Sequence, residues 1–224
     1  MRIVDRFGAL SGAAGIVLGV VGSDVLGTPP GPQAAHPTGQ KDLANLHWLA
    51  GHPSAQVGVS LELLGFALML VFVGYLCTRV RNGGWLATAA LAGGVVEVAV
   101  KLGSGAPMFA AYLLRDELSP QAARVLIDMN GAAFVITWLP MGVFVASAAG
   151  AAMVSGELGR ILGWGGVVAG STTVLVMAAT GVHMLDAIFV PFLLCLLWIL
   201  LVSVRLSFRR TGVARPVDVV PVGA

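Results

Sequence analysis

The stretch LELLGFALMLVFVGYLCTRVRNGGWLATAALAGGVVEVAVK, residues 61–101, decides how this chain folds. Two apolar runs flank the turn Arg81, Asn82, Gly83, Gly84. Hydrocarbon about 30 Å thick needs roughly 20 apolar residues in a helix, so the stretch predicts two antiparallel membrane-spanning helices on a tight turn. The same stretch carries Glu62, Glu97 and Lys101, charges that a hydrocarbon environment penalises.

The rest of the chain repeats the pattern. Of 224 residues, 57% are hydrophobic and only 11% charged, with a mean hydropathy of +0.90. A globular domain carries about 25% charged residues, so the composition points to a membrane protein. Apolar runs bounded by charge, Pro or Gly clusters predict six spans at approximately 7–27, 56–80, 84–103, 130–153, 161–181 and 184–206. The expected fold is therefore all-α and polytopic, with one transmembrane domain over 1–206. The Pro- and Gly-containing segment 207–224, basic at its start, is expected to form a flexible cytoplasmic tail resting on anionic lipid.

Charge bias sets the expected orientation. With the N-terminus inside, the cytoplasmic side collects Arg2, Arg6, Arg79, Arg81, Arg160, Arg205, Arg209, Arg210 and Arg215, against Lys41, Arg115 and Arg124 outside. Cytoplasmic flanks accumulate Lys and Arg, so both termini are expected in the cytoplasm, with the first span retained rather than cleaved as a signal peptide. Abundant Gly, at 30 residues, and a preference for Arg over Lys suggest a bacterial source and hence a bacterial cytoplasmic membrane.

Two outer loops have content of their own. KDLANLHWLAG, residues 41–51, places Leu43, Leu46, Leu49 and Ala50 at helical spacing beside Trp48, which predicts a short helix on the outer membrane surface. In the third loop, MFAAYLLRDEL suggests a second surface helix, and Ser119-Pro120 signals a helix start, Ser as cap and Pro in the first turn. Glycines at 8, 12, 15, 19 and 22 of the first span, and at 166 and 170 of the fifth, suit close helix packing.

Candidate functional residues are the ionisable groups within the spans: Asp24, Glu62, Glu97, Lys101 and Asp186, with His183 at an edge. All fall in the outer halves of their helices, which suggests a cavity open outward. Counting from the turn at ~1.5 Å per residue brings Lys101 to the level of Glu62, and Glu97 precedes Lys101 by one helical turn. Two acids and one base leave either a protonated acid or a further positive group or ligand to complete the balance. The opposing reading is an ion pair that only fixes helix register. Ala90 and Gly94 share the face of Glu97, so that face is expected to look inward.

Other chemistry is poorly supported. His36, His47 and His52 share the first outer loop, but the five-residue step from His47 to His52 is not a helical ligand pair. Cys77 and Cys195 form no redox or zinc motif. An intramembrane serine protease would have to use Ser104 and His183 without a suitable Gly-rich setting, and haem ligation lacks His residues within the spans. No phosphate loop or HExxH motif is present, a net charge of +2 without a basic patch argues against nucleic acid, and no cofactor is expected.

LELLG at Leu61–Gly65, VVEVA at Val95–Ala99 and GRILGWGGVVAG at Gly159–Gly170, in this order, resemble an uncharacterised family of bacterial six-span integral membrane proteins, a domain of unknown function. The resemblance implies that Glu62 and Glu97 belong together. It implies no activity, and Cys195 stands after Pro191 where that family tends to carry an acid. The sequence thus leads to a binder or transporter of a small polar or amphiphilic molecule, surrounded by membrane lipid. The alternatives are a structural or accessory subunit packed on a membrane-protein partner or its own copy, and a membrane-embedded hydrolase.

Overall fold

The computed structural model describes residues 3–26, 38–180 and 185–208. Within them the chain is helical: α1 Ile3–Leu26, α2 Gly39–Gly51, α3 Pro53–Arg79, α4 Trp85–Leu113, α5 Pro120–Ile136, α6 Trp138–Val154, α7 Arg160–Thr180 and α8 Leu185–Phe208. Six stretches are long and apolar enough to cross a membrane: Ile3–Leu26, Pro53–Arg79, Trp85–Leu113, Pro120–Val154, Arg160–Ala179 and Phe189–Phe208. This is an all-helical membrane protein. The outward faces carry Val17, Val20, Leu64, Val96, Val168, Leu175 and Leu194, all exposed, as lipid-facing positions should be.

The spans close into a ring in chain order. α1 packs on α3, α3 on α4, α4 on α6, α6 on α7, α7 on α8, and α8 returns to α1. The ring encloses one core containing Phe72, Leu76, Phe144, Val145, Trp198 and Ile199. The most extensive pair is α1 with α3, and its closeness depends on missing side chains: a Cβ on Gly15 would stand 2.8 Å from the Gly65 carbonyl oxygen. Gly8 and Gly12 lie instead against the rings of Tyr75 and Phe72. Ser203 of α8 inserts its hydroxyl into the α1 ladder, accepting from the Ala13 N–H at 2.8 Å and donating to the Ala9 carbonyl.

The α3–α4 connection is a single 3-10 turn, Arg81–Gly83, followed by Gly84 at φ +65°. That left-handed backbone favours glycine over residues with a Cβ. At the same end of the bundle Arg79 pairs with Glu157 at 3.1 Å, linking the end of α3 to the turn after α6.

At the opposite end α2, the last turns of α4 and the start of α5 form a small second core of Leu46, Ala111 and Ala123, flanked by Leu43, Met108 and Leu126. Thr38 caps α2 by accepting from the Lys41 N–H, and Ser119 caps α5 by accepting from the Ala122 N–H. The apolar stripe of α2 therefore meets protein: Leu46 is fully buried. Arg124 crosses from α5 to Asp42 of α2 at 3.5 Å and pairs with Asp128 on its own helix at 2.8 Å.

Two elements differ from the expected pattern. MFAAYLL does not form a separate surface helix, because α4 continues through Pro107 to Leu113. The proline ring crowds the carbonyl four residues earlier, here that of Gly103, which has no side chain of its own. The expected fourth span, 130–153, is divided between α5 and α6 at Thr137. Pro140 explains the division: it has no N–H to return to the Ile136 carbonyl.

Candidate functional site

The turn at 81–84 makes α3 and α4 neighbours, so residues equally far from it stand level. Glu62 of α3 does not turn toward α4. It lies beside α1, where a Cβ on Gly22 would be 2.8 Å from its Cγ, and its Oε1 accepts from the Ser23 hydroxyl at 2.5 Å. This carboxylate has a partner, and the partner belongs to a different helix.

Glu97 occupies the inward face of α4. One turn earlier, Gly93 abuts Pro140 and Phe144 of α6, while Gly94 abuts Val73 and Phe144. One turn later, Lys101 meets Phe134 of α5. Interpolating between these contacts places Glu97 level with the helix break at Thr137. The residue is 8% exposed. No hydrogen bond or ion pair joins it to another described residue.

Lys101 bridges these environments without pairing with either acid. Its Nζ lies 3.1 Å from the centroid of the Phe134 ring and 5.9 Å from that of Phe66. Both Glu97 and Glu62 are within its electrostatic reach, yet among the described residues no carboxylate oxygen approaches it within ion-pair distance. The ring quadrupole attracts an ammonium with little water around it, and Phe134 stands where the stem of Lys101 ends. The expected Glu97–Lys101 helical pair is therefore a near approach rather than a contact.

Behind Phe134 lies an aromatic cluster. Trp138 meets Phe134 edge-on at 5.8 Å and stacks on Phe192 of α8 at 4.8 Å. The Trp138 Nε1 is buried without a hydrogen-bond acceptor among the described residues. Phe66, Phe134 and the break at Thr137 were not among the sequence-derived candidates. The Pro140 kink was a signal for the break, whereas the approach of Phe134 to Lys101 depends on packing between distant segments.

The remaining candidates are dispersed. Asp24 is exposed near the end of α1. Asp186 falls in the first turn of α8 with its side chain outside the described set, and His183 and His36 lie outside the described residues. His47 reaches Asp116 at 3.6 Å, while the His52 ring stacks on Trp48 and its Nδ1 lies 2.6 Å from the Trp48 carbonyl oxygen. Among the described residues, no three His, Cys, Asp or Glu side chains converge as a metal site.

What the arrangement offers chemically is an acidic position beside aromatic rings at the Thr137 interruption: one buried carboxylate, one ammonium and two rings. No protein-family model matches the chain, and no curated protein or solved structure matches it either.

Proposed function

We propose that this chain binds, and passes or presents, a small polar or amphiphilic molecule through a pocket lined by Glu62, Glu97 and Lys101 and open to the outer side of a bacterial cytoplasmic membrane. The arginine-bearing end, with Arg6, Arg79, Arg81, Arg160 and Arg205, faces the cytoplasm, so both termini lie inside. The small core built from α2, α4 and α5 then stands over the pocket on the outer side.

The observation that carries this reading is Glu97. An ionisable side chain in hydrocarbon is expensive and is ordinarily paired with another group or faces water or protein, and Glu97 is buried at a helix break with a lysine nearby that rests on a ring instead. A proline at membrane depth frees a backbone carbonyl, which is tolerated where neighbouring groups or a cavity satisfy it. A carboxylate with no partner among the described residues also provides a group able to take up a proton as the ligand leaves.

The test is a thermal-shift screen of purified protein against small amines, amino acids, carboxylates and polar lipids. At least one compound should stabilise the wild type and lose its effect in the Glu62→Gln, Glu97→Gln double variant. A screen with no stabiliser, or a shift that survives the double substitution, defeats the reading.

A structural or accessory role is the second reading, and the Ser23–Glu62 bond favours it, because that contact ties α1 to α3 with no ligand required. A hydrolase has less support: His47 and His52 are each engaged locally and point to no shared site.

A further inference from the structure

We infer that the ligand of this pocket is an organic ammonium ion, and that Lys101 is its built-in stand-in, occupying the Phe134 face until the ligand displaces it. The inference rests on the pocket reading above and adds the ligand class. It starts from what already sits in the site: an ammonium group, 3.1 Å from the centre of a phenyl ring, with a second ring at 5.9 Å. Aromatic faces of this kind recognise alkylammonium groups, because the ring quadrupole attracts cations and the alkyl substituents pack against carbon.

The charge balance selects the same class. Glu97 and, from the α1–α3 seam, Glu62 both act on one lysine through space, which leaves two acids to one base when both are ionised. Glu62 is satisfied by Ser23, whereas Glu97 has no described partner and is more than nine-tenths buried. A second cation brings the set to two acids and two bases. An anionic ligand would instead meet two carboxylates of its own sign, and a neutral one would leave Glu97 as it is.

The backbone adds an acceptor. Because Pro140 has no N–H, the Ile136 carbonyl lacks its ordinary helical donor at the level of Glu97. Carbonyl groups freed at helix breaks serve as cation acceptors in membrane proteins. Lys101 is able to withdraw, since its four-carbon stem can carry the ammonium toward the outer interface as the ligand enters. The exchange is a competition between a tethered and a free ammonium for one ring face, with no bond made or broken.

The competition is testable with tetramethylammonium as the probe, and with acetate and tert-butanol as anionic and neutral counterparts, titrated into full-length protein in lipid nanodiscs. Wild type should bind tetramethylammonium in preference to both. Lys101→Met should bind it about tenfold more tightly, because the tethered competitor is gone. Adding Glu97→Gln to that variant should weaken binding at least tenfold, and adding Phe134→Leu should weaken it about fivefold. Should Lys101→Met fail to fold, Lys101→Gln makes the same comparison with a polar side chain of similar length. Unchanged or weaker ammonium binding in the lysine variants, or preference for acetate, overturns the inference and leaves the pocket reading standing. Absence of binding by all three probes, together with a screen in which nothing stabilises the wild type, removes both.

Discussion

Two helix seams in this molecule carry an intramembrane glutamate, and they treat it in opposite ways. In the α1–α3 seam, glycines bring the backbones together, and Glu62 is held by the Ser23 hydroxyl at 2.5 Å. In the seam where α4 meets α5 and α6, Gly93 again brings backbones together, but Glu97, one turn further on, has no described partner. A carboxylate kept to fix helix register should resemble Glu62, with a satisfied oxygen facing a neighbouring helix. Glu97 lacks that arrangement, so packing alone does not account for it. The helix opposite it is interrupted at Thr137, whose N–H still donates to the Ala133 carbonyl four residues earlier, while α1 opposite Glu62 is uninterrupted.

The most direct way to break the comparison is to force the first seam apart. A Cβ on Gly15 would meet the Gly65 carbonyl oxygen at 2.8 Å and the Met69 nitrogen at 3.3 Å, backbone atoms that cannot turn aside. Gly15→Val should therefore cost about 3 kcal/mol, the upper range for overpacking, measured by denaturation in mixed detergent. Gly19→Val, one turn along the same helix, meets nothing within 4 Å and should change stability by less than about 0.5 kcal/mol. Equal losses at the two positions would mean that α1 and α3 do not pack in this register.

A smaller effect probes the polar contact of the same seam. Ser23→Ala removes the donor to Glu62 and should cost about 0.6 kcal/mol, the mean for interhelical hydrogen bonds in membranes. A cost of several kcal/mol would make Ser23–Glu62 a central structural bond and strengthen the accessory-subunit reading.

The contrast between the seams was only half legible in the sequence. The spans follow from length and hydropathy, because hydrocarbon imposes a one-dimensional requirement that any apolar run displays. The 81–84 turn and the Ser119-Pro120 helix start are equally local, and the structure shows both. Counting from the turn paired Lys101 with Glu62 across the two helices and with Glu97 one turn away, and among the described residues neither pair is a contact. Which group each charge touches depends on helix rotation and on segments far away in the chain: Ser23 for Glu62, Phe134 for Lys101. The division of the fourth span was signalled by Pro140, yet the break falls at Thr137, where the Thr137 N–H is shared between the carbonyls of Ala133 and Phe134. The course of α4 past Pro107 runs against a local signal, since proline more often ends or kinks a helix than lies within it.

The smallest expected effect is the most informative one. Glu97→Gln keeps the shape of the side chain and removes its charge. If Glu97 were half of a buried ion pair, neutralising it would leave Lys101 uncompensated and cost about 3 kcal/mol or more. The geometry argues otherwise: Lys101 rests on Phe134 and makes no contact ion pair with Glu97, so no such pair is there to break. The substitution should leave the melting temperature in lipid nanodiscs unchanged or raise it slightly, because a carboxylate without a described partner gives way to a neutral amide. Glu62→Gln, measured alongside, alters the acceptor of a charge-assisted bond and should be the more destabilising of the two. If the order is reversed, so that Glu97→Gln unfolds the protein and Glu62→Gln does not, then Glu97 is the register-fixing residue and the functional reading passes to the α1–α3 seam.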